Sequence, residues 1–109
     1  MKTPSRINAA DSRALLEKKQ DIKIIDVRTK AEYDEKHIPG SEHVSVEDII
    51  ISGIPYSKET PVLIACNFGL MKSQIAAQKL SDRGFTDVYI LDGGLSAWFS
   101  ETVKTNPVC

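Results

Sequence analysis

Only two of the 109 residues are cysteine, Cys66 and Cys109, and no Cys-x-x-Cys pair occurs. Two cysteines cannot build a disulfide framework. In a reducing compartment both are expected as thiols. His37 and His43 stand at no ligand spacing from either cysteine, so no metal is expected. No uninterrupted apolar segment approaches the roughly 20 residues that a membrane-spanning helix requires. The start MKTPSRINAADS has no apolar core of the secretory type. No membrane partner is therefore expected, and the cytoplasm is the default location. Fourteen basic and fifteen acidic residues leave a formal charge of -1, which lacks the one-sided field of a nucleic-acid binder. Repeats, low-complexity segments and linkers are missing too. One domain over 1–109 is expected, with its core at about 5–102 and a flexible tail at 103–109.

What is present alternates. Arg6 and Ile7 open an extended start, and Asn8 can cap a helix carrying Ala9, Ala10, Ala14, Leu15 and Leu16. DIKIIDV follows, a nearly continuous apolar strand of the kind buried in parallel sheets. Thr29 and Glu32 fit a capping box ahead of KAEYDEK, and Ile38-Pro39-Gly40 closes that segment with a turn. His43 and Val44 form a short strand, and residues 46–51 a short helix. Residues 61–65 form a second buried strand and 72–82 a helix stopped at Gly84. A strand over 86–91, a turn at Gly93-Gly94 and a helix over about 95–102 complete the order. Strands alternating with helices predict an α/β fold, a parallel sheet covered on both faces. Ligands of such sheets bind where strand C-termini open into loops. Asp26-Val27-Arg28 and Cys66 with its loop are the two strand ends expected to converge.

The stretch CNFGLMKS, residues 66–73, leaves a strand and enters a helix. Loop amides and a helix N-terminus together form a positive cradle for an anion. A thiol at its base is expected to ionise more readily, and the thiolate is the nucleophile. Gly69 permits positive φ, Lys72 adds a mobile cation and Ser73 a hydroxyl. Cysteine is also among the most buried residue types, so the loop by itself leaves Cys66 open as nucleophile or as inert packing.

Three stretches together resemble the rhodanese family. IIDVRTKAEYDEKHIPGSEHV is similar to its Asp-Val-Arg strand end, acidic-aromatic helix and His-Ile-Pro-Gly turn. CNFGL is similar to the start of its active-site loop, and GFTDVYILDGGLSAW to its final strand, Gly-Gly turn and tryptophan. The resemblance implies a five-stranded parallel sheet with helices on both faces. It implies that Cys66 takes a sulfane sulfur from a small anionic donor such as thiosulfate and yields it to a thiol, to cyanide or to a protein acceptor. It implies no cofactor. The bound sulfur would lie among the amides of Asn67, Phe68, Gly69, Leu70, Met71 and Lys72.

One position departs from the pattern. The family's sulfurtransferases carry arginine five residues after the cysteine, where this chain has Met71; the basic residue is Lys72, followed by Ser73. The loop thus reads as one residue longer, as in the related phosphatases and arsenate reductases. Lys72 is a point charge and lacks the planar fork with which arginine grips an oxyanion. Sulfurtransferase is the expectation. A phosphatase or arsenate-reductase-like enzyme and a non-catalytic interaction module are the alternatives.

Arg28 could steer an anionic donor or pair with Glu32, while Asp26 could accept loop N–H groups. His37 is expected to hold a backbone group, and His43 has no identifiable partner. Trp98 is expected in the core. Phe68, Leu70 and Met71 are candidates for an apolar patch facing a partner, and Cys109 belongs to the flexible end.

Overall fold

The computed structural model describes residues 3–19 and 21–99. Five strands, β1 (Ser5–Ile7), β2 (Lys23–Asp26), β3 (Glu42–His43), β4 (Val62–Ala65) and β5 (Val88–Leu91), form one sheet. Its order is β1-β5-β4-β2-β3 and every pairing is parallel. The helices are α1 (Ala9–Lys18), α2 (Lys30–Glu35), α3 (Val46–Ser52), α4 (Met71–Asp82) and α5 (Gly94–Phe99).

Both faces of the sheet are covered, because alternate residues of a strand point to opposite sides. Ile25, Val62, Ile64, Val88 and Ile90 pack with Ile49 of α3 and Ala76, Ala77 and Leu80 of α4. Ile24, Leu63, Ala65 and Leu91 pack on the other side with Leu95 of α5, joined by Leu16 and Trp98. Trp98 is thus half-buried against the core, with the Arg13 guanidinium 4.2 Å above its ring. Every side chain of β4, the central strand, is buried, which is why its sequence is unbroken apolar rather than alternating.

Local chemistry sets the ends. Asn8 caps α1 by accepting from Asp11 N, and the Thr29–Glu32 capping box forms in both directions. Several boundaries differ from expectation by a residue or two, and two of them have a visible cause. α4 begins at Met71 rather than Lys72, because Leu70 O already accepts from Gln74 N at 3.0 Å. β5 begins at Val88 rather than Thr86, because Thr86 N donates to Lys58 O in the loop before β4. The helix residues expected beyond Phe99, and Cys109, lie outside the described residues.

Candidate active site

Parallel strands bring their C-terminal ends to one edge. Asp26 is in register with Ala65 on one side and His43 on the other. Cys66 directly follows Ala65, so the two strand ends singled out above do converge, and β3 adds a third. Cys66 is fully buried.

The loop after Cys66 is shaped by where its carbonyls go. Cys66 O accepts from Leu95 N at 2.9 Å and Asn67 O from Ser96 N at 3.0 Å. Both donors belong to the first turn of α5. Gly69 O accepts from Arg6 Nη2 at 2.5 Å. A trans peptide points its N–H opposite to its C=O, and no cis bond occurs among the described residues. The amides of Asn67, Phe68 and Leu70 therefore face away from α5 and Arg6. Leu70 occupies the N-cap of α4 but supplies no side-chain cap, so no N-cap side chain competes for the first-turn N–H groups of α4.

Two glycines make the arrangement possible. Gly69 has φ +72° and a Cβ there would lie 2.3 Å from Leu91 O. Gly94 has φ +63° and its Cβ would lie 2.4 Å from the Asn67 carbonyl. Side chains at either position would push α5 or β5 off the loop.

Asn67 is also held by its side chain. Its Nδ2 donates to Glu32 Oε2 at 2.8 Å, while Glu32 Oε1 accepts from Thr29 N and Thr29 Oγ1. The Asn67 amide, followed by Thr29 and the nearby Arg28 charge, holds the Glu32 carboxyl below its ordinary range against the opposing effect of burial. Arg28 does not pair with Glu32 as its structural reading had it. Its guanidinium grips Asp26 through Nε and Nη2 and donates to Lys36 O. Asp26 also accepts from Arg28 N, as expected. Arg28 is thus a buried, charge-compensated residue, although it lines the cleft beside the loop.

The remaining predicted residues fall into place by position. Met71, Lys72 and Ser73 lie in the first turn of α4 rather than in the loop. Lys72 lines the cleft with Arg28. The Ser73 hydroxyl is fully buried and has no hydrogen-bond partner among the described residues. Phe68 is half-buried, whereas Leu70 and Met71 are exposed and continue along α4 to Ile75 as an apolar rim. His37 holds Tyr33 O at 2.6 Å. His43 has a partner after all, donating from Nε2 to Arg28 O at 2.6 Å.

Arg6, Glu32 and Gly94 were not foreseen as parts of the site. Arg6 reaches Gly69 only because β1 pairs with β5 at the sheet edge. The Thr29–Glu32 box was legible, but its second oxygen bonding Asn67 was not.

A buried thiol at the end of the central strand, followed by a loop whose carbonyls are drawn to α5 and Arg6, defines a cysteine-loop domain of the parallel α/β class. The comparisons narrow this further: residues 8–101 match the Rhodanese-like domain, and the chain belongs to that family. It is 41% identical over 101 residues to the thiosulfate sulfurtransferase GlpE of Pseudoalteromonas translucida, covering 90% of this chain and 94% of that one. Among solved structures, the Alr3790 protein of Anabaena sp. superposes with a TM-score of 0.77 at 26% identity, over 94% of this chain and 82% of the other. A Rhodopseudomonas palustris protein described as a possible tyrosine phosphatase gives 0.73 at 28%, over 88% and 80%.

Proposed function

We propose that this chain is a thiosulfate sulfurtransferase carrying sulfane sulfur on Cys66. The observation behind this reading is Cys66 at the end of β4, followed by a loop whose Cys66, Asn67 and Gly69 carbonyls are drawn to α5 and Arg6. The Cys66 thiolate attacks the outer sulfur of thiosulfate. The S–S bond of the donor breaks and its electron pair leaves with sulfite. The transferred sulfur remains as Cys66–S–S⁻, its charge dispersed over the amides of the loop and the first turn of α4. Lys72 draws the anionic donor in. Cyanide then attacks the outer sulfur, thiocyanate departs and the thiolate returns. The curated relative at 41% identity bears the corresponding activity in its name.

Intact-mass spectrometry tests this. After incubation with thiosulfate, wild type gains one sulfur atom that cyanide removes, and Cys66→Ser gains none. A gain on both proteins, or on neither, rejects the assignment. The phosphatase-like alternative draws on the Rhodopseudomonas neighbour and on the six-residue spacing from Cys66 to Lys72. It requires that phosphate protect Cys66 from alkylation, and Lys72 in place of arginine opposes it.

A further inference from the structure

β1 is an outer strand of the sheet, with β5 on one side and no strand on the other among the described residues. In a parallel strand the N–H and C=O of one residue face one neighbour, and those of the next residue face the opposite way. Ile7 O accepts from Asp92 N at 2.8 Å, just past the end of β5. Ile7 therefore faces β5, and Arg6 turns its backbone N–H and C=O outward. Among the described residues no other group bonds either of them. A free donor and acceptor on a sheet edge are what an added strand takes up.

A groove of about 550 Å³ opens beside this edge. Pro4 and Arg6 form one margin, Ile90 of β5 lies between, and Ile75, Lys79 and Asp82 of α4 form the opposite wall. Sites that hold organic ligands occupy roughly 300–1,000 Å³. Ile75 is an exposed apolar side chain. The charges of the lining are not equally committed. Arg6 is paired with Asp92, and Asp82 accepts from Gln78. Lys79 has no acidic partner among the described residues. Ile75 and Lys79 stand one helical turn apart, about 6 Å along α4. Alternate residues of a strand share a face at a spacing of about 6.6 Å. A strand laid along β1 can therefore meet both side chains from one face.

We propose that this edge and groove dock an extended peptide segment of a partner protein, with an apolar residue over Ile75 and an acidic residue two positions away over Lys79. The Arg6 backbone pair supplies the main-chain bonds, and the groove reads the side chains. Running the segment the other way along β1 only reverses the order of its two recognised residues. The docking involves no chemistry at Cys66.

Panning a display library of random dodecapeptides on the whole protein tests this. Enriched sequences are synthesised and titrated by amide NMR. They should carry an apolar and an acidic residue two positions apart and shift the amides of Arg6, Ile75 and Lys79. Methylating the peptide's backbone nitrogens one at a time should weaken binding most at the residue that meets Arg6. Lys79 is exposed and lies outside the cysteine loop. Lys79→Glu should weaken the acidic peptide about five- to tenfold and favour the same peptide with lysine in place of its acid. An unfolded variant would bind neither peptide, and Lys79→Gln, which should lose the preference for the acid, then replaces it. The docking is overturned if panning enriches nothing, if the shifts fall on the cysteine loop or the cleft at Lys72 instead, or if affinity ignores both methylation and the Lys79 variants. Shifts at Arg6 and Ile75 that grow with protein concentration alone would put a second copy on the edge and overturn it equally.

Discussion

Asn67 is held at two points. Its side chain bonds Glu32 and its carbonyl bonds Ser96. Removing the side-chain anchor leaves the fold intact but lets the first amides of the loop wander. Asn67→Ala should therefore lower kcat/KM for thiosulfate about tenfold, the loss expected when a hydrogen bond to a charged group worth about 1.5 kcal/mol or more is removed. Glu32→Ala should cost the same, and the double variant little more than either, because both remove one bridge. Full additivity in that cycle would refute the coupling. The bridge also has a pH dependence. Glu32 is held below its ordinary carboxylate value, so the stability it contributes is complete above that value. It is lost only as pH falls through the lower, folded-state value. Carboxyl carbon NMR should find Glu32 titrating below the ordinary glutamate range.

At the scale of elements, the site depends on α5 and β1, which arrive from opposite ends of the chain. Gly94→Ala forces a Cβ into a left-handed position at roughly 1–2 kcal/mol and drives it against the Asn67 carbonyl. The melting temperature and sulfurtransferase activity should fall together. Arg6→Ala should behave differently. The Arg6–Asp92 ion pair is exposed and worth about 0–1 kcal/mol, so thermal stability should change little. Gly69 O loses its donor, so turnover should fall more than stability does. A melting temperature that drops as far as that of Gly94→Ala would assign Arg6 to the fold rather than to the loop.

The whole molecule is one sheet with two apolar faces. β4 lies at its centre, with all four side chains buried and partners on both sides. Native-state hydrogen exchange should find its amides among the slowest, opening only with global unfolding, while the two-residue β3 at the edge exchanges earlier. Among the described residues, no helix is long and apolar enough to cross a membrane.

The division between sequence and tertiary structure follows from the range of the forces. Strand order along the chain, the Asn8 cap, the Thr29–Glu32 box and the cysteine ahead of a helix start were all legible in the sequence. Each rests on contacts between residues a few positions apart or on a periodicity that burial imposes. The start of α4 was misplaced by one residue and that of β5 by two. Backbone hydrogen bonds choose those boundaries, and the Thr86–Lys58 bond joins distant segments. Arg28 taking Asp26 instead of Glu32, Glu32 reaching Asn67, Arg6 closing on Gly69 and α5 drawing out the loop carbonyls lay outside what the sequence could reveal. Parallel pairing places those partners side by side across as many as 63 positions. The sequence by itself determined that a cysteine would stand at the mouth of a parallel sheet. Only the packing of β1, α2 and α5 around that mouth decided which way its amides face.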